Sequence, residues 1–160
     1  MAYSDATNLC ERALMPHPRK LIVETDGAAR GNPGLAGAGI IIKDEHGHTI
    51  ESIGKYLGSK TNNQAEYHAL IEGLRAVARH QPESVVVRMD SELVVRQMNG
   101  QYRVRHPELL PLYVEAVELA SALPDISFAH VPRERNPGAD QIANFAIDSR
   151  MIPGRGAAHD

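Results

Sequence analysis

A chain of 160 residues with 42% apolar and 23% charged residues has the composition of one globular domain, and no apolar run is long enough to span a bilayer, so no membrane partner is expected. A net charge of −3 argues against a protein that coats nucleic acid through diffuse positive charge, and the absence of Trp, with only 4% aromatics, argues against extensive stacking surfaces. The single Cys10 excludes an internal disulfide, and with no secretory signal pattern a cytoplasmic setting is expected.

Residues 1–19 show no sustained periodicity and are expected to form a flexible N-terminal extension. A folded domain is expected over 20–150 and a loose C-terminal tail over 151–160. LIVETD alternates and is β-branched, which predicts a strand ending at Asp26. GAARGNPGLAG reads as a turn-rich linker. AGIIIKD and TIESIGKYL predict an antiparallel hairpin turning at DEHGH. Thr61 with Gln64 three residues on forms a capping box, opening a helix that runs to about His80. SVVVRMD is a strand, and SELVVRQM a short helix stopped by Asn99-Gly100. HPELLPLYVEAVELASAL predicts a longer helix, with Pro107 in its first turn and Pro111 as a kink or a redefined start. ISFAHV is the last strand, and Asn136 caps a final helix with Pro137 at its first position. The order β-β-β-α-β-α-α-β-α predicts an α/β (α+β mixed) fold with helices packed on a mixed sheet.

Four acidic residues stand where a carboxylate is costly. Asp26 and Asp90 each close an apolar strand, Glu66 lies on the apolar stripe with Leu70, Leu74 and Val77, and Asp140 opens the last helix. Singly, Asp26 reads as a turn former, Asp90 as a helix cap, Asp140 as a complement to the helix dipole, and Glu66 as half of a buried salt bridge with Arg. Together they sit at strand ends and helix starts, where α/β folds gather their sites. Like charges ~4 Å apart repel by roughly 4 kcal/mol at an effective dielectric of ~20. Divalent cations neutralise such a cluster most simply, which points to metal-dependent phosphoryl transfer. Without those four charges the chain carries about +1, so a nucleic-acid substrate is not excluded.

DGAARGNPGLAGAG, TNNQAEYHALIEGL, MDSELVVRQMNG and HVPRERNPGADQIAN resemble, in order and spacing, the successive motifs of the type 1 ribonuclease H family, over about residues 20–150. The resemblance implies a ribonuclease H-like fold, with a five-stranded mixed sheet whose strands 1–3 are antiparallel and helices on both faces. It implies an endonuclease that hydrolyses the RNA strand of RNA–DNA hybrids, leaving 5′-phosphate and 3′-hydroxyl ends. It makes Asp26, Glu66, Asp90 and Asp140 both the catalytic residues and the ligands of two Mg²⁺ ions, with Mn²⁺ as a substitute. Two such ions can clamp one phosphodiester. Asn32, Asn62 and Asn63 match positions that read the hybrid, and Asn32 and Thr61 match contacts to the DNA-strand phosphate. Short amides suit a 2′-hydroxyl, since they donate and accept at once.

The chain departs from many members in two places. NGQYRVRHPELLP is compact and lacks a Trp-bearing basic protrusion, leaving Arg96, Arg103 and Arg105 for phosphate contacts. The loop VPRERNPGA lacks the His that many members carry before the last acid, and Arg133 or Arg135 is the candidate substitute in substrate binding. This compact arrangement resembles a subgroup of bacterial and archaeal enzymes, some of which also act on double-stranded RNA. A non-catalytic hybrid-binding module is the competing reading, and the complete acidic quartet weighs against it. A monomer is expected.

Overall fold

The computed structural model describes residues 20–151. The expected N-terminal extension lies outside the described residues, as does the expected tail beyond Met151, which is itself the last residue of the final helix. The elements are β1 (Lys20–Gly31), β2 (Gly34–Asp44), β3 (Thr49–Lys60), α1 (Asn62–Ala78), β4 (Ser84–Met89), α2 (Glu92–Met98), α3 (Leu110–Ser121), β5 (Ile126–His130) and α4 (Pro137–Met151). A single 3₁₀ turn, Arg133–Arg135, precedes α4 among the described residues.

The strands form one sheet in the order β3-β2-β1-β4-β5. β1 pairs antiparallel with β2, and β2 with β3, while β4 runs parallel to β1 and β5 parallel to β4. This is the mixed sheet expected from the sequence. The turn between β2 and β3 is fixed by Asp44, whose Oδ1 accepts from the backbone N–H groups of His46 and His48, each at 2.9 Å.

The stretch GAARGNPGLAG departs from expectation. It is not a linker but the outer half of the β1–β2 hairpin, paired continuously to Gly31↔Gly34 and turning on Asn32-Pro33. Its small residues hid the alternation that betrays a strand. They are small because helices lie on them: a Cβ on Gly37 would run into the carbonyl oxygen of Ala143 in α4, as one on the following Gly39 would into that of Ala139, and a Cβ on Gly27 would meet the backbone of Ala65 in α1. α3 departs too. Residues before Leu110 form only a turn, with Leu109 N–H bonded to His106 O at 3.0 Å, and Pro111 sits in the first helical turn. Proline needs no intrahelical partner there, so Pro111 starts the helix and does not kink it.

Helices cover both faces. On one, α1 packs over Val23, Thr25 and Ile40, and α3 backs α1 through an Arg75–Glu115 ion pair at 3.1 Å. On the other, Ala139, Ala143 and Ile147 of α4 are fully buried over the glycine-rich part of β2. Alternation along the strands thus gives each face its own helix. No helix among the described residues is long and apolar enough to cross a membrane.

The closeness of α4 to β2 is testable. Gly39→Ala should destabilise the fold by about 2 kcal/mol or more, since the added methyl meets backbone and not a movable side chain. Urea denaturation of the variant would measure it, and an unchanged midpoint would contradict the close packing described here.

Candidate active site

Strand register brings the first two acids together. β1 and β4 pair in parallel up to Thr25↔Met89, so Asp26 and Asp90 are the next residues on neighbouring strands. Neighbouring strands lie ~4.8 Å apart, which sets the two carboxylates at one edge. Asp90 does not cap α2. Ser91 does, its Oγ accepting from Val94 N–H at 3.3 Å, and the Asp90 carboxylate is left to the site.

Glu66 enters from the second turn of α1. The N–H of Gly27 donates to its Oε1 at 2.7 Å. Gly27 must be glycine for this, because a Cβ there would collide with the backbone of Ala65 and Glu66. The salt bridge to a buried Arg, the bland reading of Glu66, is not formed. Its Oε2 is buried with no hydrogen-bond partner among the described residues. A contrast lies two residues before Asp26: Glu24 is also buried, but Lys43 neutralises it at 3.0 Å.

Oxygens of Asp26, Glu66 and Asp90 all lie within 4.8 Å of one another. Asp140 stands beside Asp26 from the first turn of α4. Its position is set by Asn136, which does not act as the expected side-chain cap. The buried Asn136 amide donates to Thr25 O at 3.0 Å, while its Oδ1 has no partner. That bond ties the start of α4 to the residue preceding Asp26.

Burial and mutual repulsion shift these groups. Burial, then Glu66 and Asp90, push the Asp26 carboxyl up to about 10. Burial pushes Glu66 up to about 7, against the lowering effect of the neighbouring Asp26 carboxyl and of the bond from Gly27. The nearest cation to the quartet in an ion pair is Arg133, at 3.8 Å from Asp140 Oδ1 on a side chain that is 80% exposed. Hard oxygen donors, an orphaned buried Oε2 and the lack of an internal counter-charge together fit a divalent cation.

The acids line one open cleft of about 420 Å³, with Asn62, Asn63, Arg133, Ser91, Arg30 and Asn144 around them. Asn32 and Thr61 are not on its wall. They hold the start of α1: Asn32 Oδ1 accepts from Asn62 N–H at 3.0 Å, and Thr61 forms its capping box with Gln64 at 3.2 and 2.9 Å. Arg135, on the same 3₁₀ turn as Arg133, does not line the cleft. Sequence reasoning missed Arg30 and Asn144. The spacing Asp140, Asn144, Asp148 on one helical face was the available signal.

A family model described as reverse transcriptase-like matches residues 24–146. A bifunctional protein of Mycobacterium tuberculosis is 44% identical over 131 residues, covering 81% of this chain and 36% of the relative. Ribonuclease HI of Halobacterium salinarum is 42% identical over 123 residues, covering 77% of this chain and 62% of the relative. The chain spans about a third of the length of the first curated relatives it matches. Among solved structures, RNase H1 of the same halophilic archaeon superposes with a TM-score of 0.79 at 40% identity, over 81% of this chain and 98% of that one. LC11-RNase H1, crystallised with an RNA/DNA hybrid, gives 0.80 at 43% identity, over 82% and 99%.

The fold and its acidic cleft define a nuclease-type domain of ribonuclease H architecture. The chain belongs to the type 1 ribonuclease H family. Use of a divalent metal follows from the family and the acidic cluster together.

Two consequences are measurable. Asp26 and Glu66 have folded-state pKa values above their unfolded ones, so their contribution is favourable below about pH 4 and lost as pH rises through about 7 and 10. With chelator present, the melting temperature should therefore fall between pH 6 and 9, roughly, and Asp26→Asn should flatten that fall. At about pH 8 the variant should be more stable than wild type by on the order of 2 kcal/mol. Asn136→Ala should cost about 1–3 kcal/mol by leaving the buried Thr25 carbonyl unpaired, read from chemical denaturation.

Proposed function

We propose that this domain is an endonuclease that hydrolyses the RNA strand of RNA–DNA hybrids with divalent metal ions, two Mg²⁺ in the working state and Mn²⁺ as a substitute. The observation that carries the reading is the meeting of two buried carboxylates from β1 and α1 with a half-buried one at the end of β4, with no internal cation among the described residues, beside the amide-bearing start of α1. When bound, the ions supply charge neutralisation at the scissile phosphate and a water of lowered pKa.

The protein's own residues supply the rest. Asp26 and Asp90, fixed on adjacent strands, would hold both ions. Glu66, with Oε1 committed to Gly27, offers its unpartnered Oε2, and Asp140 completes the set from α4. Asn62 and Asn63, at the start of α1, would read the 2′-hydroxyl in the shallow minor groove of the hybrid. Thr61 and Asn32 would seat the DNA-strand phosphate at the N-terminus of α1, where backbone N–H groups and the helix dipole favour an anion. Arg133 would contact substrate phosphate from the cleft rim. Arg135, off the cleft, would meet it only farther along the duplex. The similarity to LC11-RNase H1, crystallised with an RNA/DNA hybrid, supports the substrate class. Residues 20–150 would form the catalytic unit. Its setting would be cytoplasmic, consistent with a lone cysteine.

Cleavage of a labelled RNA–DNA hybrid, beside matched double-stranded RNA and DNA, tests this with Mg²⁺ and Mn²⁺. The RNA strand should be cut to 5′-phosphate and 3′-hydroxyl ends, and Asp90→Asn should lower kcat on the order of 10³-fold. Hybrid binding without cleavage under either metal would sink the nuclease reading. Cleavage of double-stranded RNA as well would widen the substrate and keep the mechanism.

A further inference from the structure

Asp140 differs from the other three acids. It stands on the first turn of α4, on the sheet face opposite α1, and its side chain is 31% exposed. A carboxylate so placed has several rotamers open to it. Two features restrict it. The amide nitrogen of Asn144, one turn on, donates to Asp140 Oδ1 at 3.3 Å and to its backbone carbonyl at 3.0 Å. Asn144 is in turn held by Arg30 of β1, whose guanidinium donates to Asn144 Oδ1 at 3.3 Å and to its carbonyl at 3.4 Å. The other terminal nitrogen of Arg30 is anchored on Asp148 Oδ1 at 2.6 Å.

We propose that Asn144, clamped by Arg30 and Asp148, is a positioning residue that fixes the Asp140 carboxylate for metal binding. The inference rests on the proposed function, since it assigns Asp140 a metal. The chain of contacts also settles which way the Asn144 amide faces. Its Oδ1 is taken by a guanidinium, which only donates, so its NH₂ must point at Asp140. The guanidinium polarises that amide and makes it the better donor. With Oδ1 of Asp140 accepting this bond on one side, the carboxylate is held where it lines the cleft beside Asp26. The brace runs from β1 to α4, so it also fixes α4 against the strand that carries Asp26. Partners that orient a metal-binding carboxylate change metal affinity by about 10–100-fold when removed.

Calorimetric titration with Mn²⁺, read beside hybrid KM and the melting temperature in chelator, tests the brace in wild type, Asn144→Ala, Arg30→Lys and Asp90→Asn. Asn144→Ala should bind Mn²⁺ about tenfold more weakly, with a KM at saturating Mn²⁺ within about twofold of wild type. Arg30→Lys keeps the charge and loses the fork, so it should move affinity in the same direction by a smaller factor. If Asn144→Ala fails to fold, Arg30→Lys carries the same comparison. A lowered melting temperature with an unchanged Mn²⁺ isotherm would show a merely structural contact and overturn the proposal. Absence of a wild-type isotherm, or one that Asp90→Asn leaves intact, would overturn the metal site itself and with it the proposed function. A wild-type isotherm that neither brace variant weakens overturns only the brace.

Discussion

Everything in this domain is arranged around a repulsion. Three carboxylates from three elements meet within 4.8 Å, two of them almost fully buried, and a fourth stands beside them. Each close pair costs a few kcal/mol at an effective dielectric of ~20. A domain of this size has only about 5–15 kcal/mol of net stability. The cluster therefore survives only because its backbone supports do not depend on the acids themselves. Asp26 and Asp90 follow the last pairs of a parallel ladder. Glu66 hangs from a backbone N–H that exists at the right distance because Gly27 has no side chain. Asp140 is tethered through Asn136 to a β1 carbonyl.

Those supports explain features of the core that packing alone would not require. Tyr67, adjacent to Glu66, donates its hydroxyl to Gln97 at 2.6 Å, and both side chains are buried. A buried polar pair of this kind adds little net stability over an apolar one. What it adds is a fixed geometry between α1, which carries Glu66, and α2, which begins directly after Asp90. Glu24 shows the alternative treatment of a buried acid on the same strand: a lysine partner and no role in the cleft.

Most of the fold was legible because periodicity and capping agree locally. The Thr61–Gln64 box, the β-branched strands and the acidic strand ends each state their structure in a few residues. The glycine-rich half of the first hairpin was not legible, since its strand character comes from α4 packing on it and not from its own alternation. The start of α3 was left open by the sequence: two prolines offered two starts, and the helix begins at Leu110 with Pro111 in its first turn. At the site, the acids stood out because carboxylates on apolar patterns are costly. Asn136, Asn144 and Arg30 did not, because asparagine and arginine on polar positions carry no such penalty, and their partners lie far away in sequence. Arg135 lies off the cleft although it shares a short turn with Arg133, because side chains two apart on such a turn point different ways.

Charge decides how such a site can meet its proposed substrate. With an overall net charge of −3 and its acids gathered in one cleft, the metal-free domain repels a phosphodiester where it would have to bind. The cations near the cleft do not reverse this: Arg30 is engaged with Asp148, and Arg133 leans toward Asp140 from solvent. On the proposed function, divalent ions and phosphate would therefore depend on each other in this cleft. Ions held by the carboxylates would relieve their repulsion and make room for the anion, and a bound phosphate would strengthen the hold on the ions. By linkage, ions that raise affinity for the proposed hybrid would themselves be bound more tightly in its presence by the same factor. The same repulsion that destabilises the fold would thus become the coupling between metal and proposed substrate. For that reason the acids are held by backbone anchors and a guanidinium-backed amide, and not by lysine partners such as the one that neutralises Glu24, which would have silenced it.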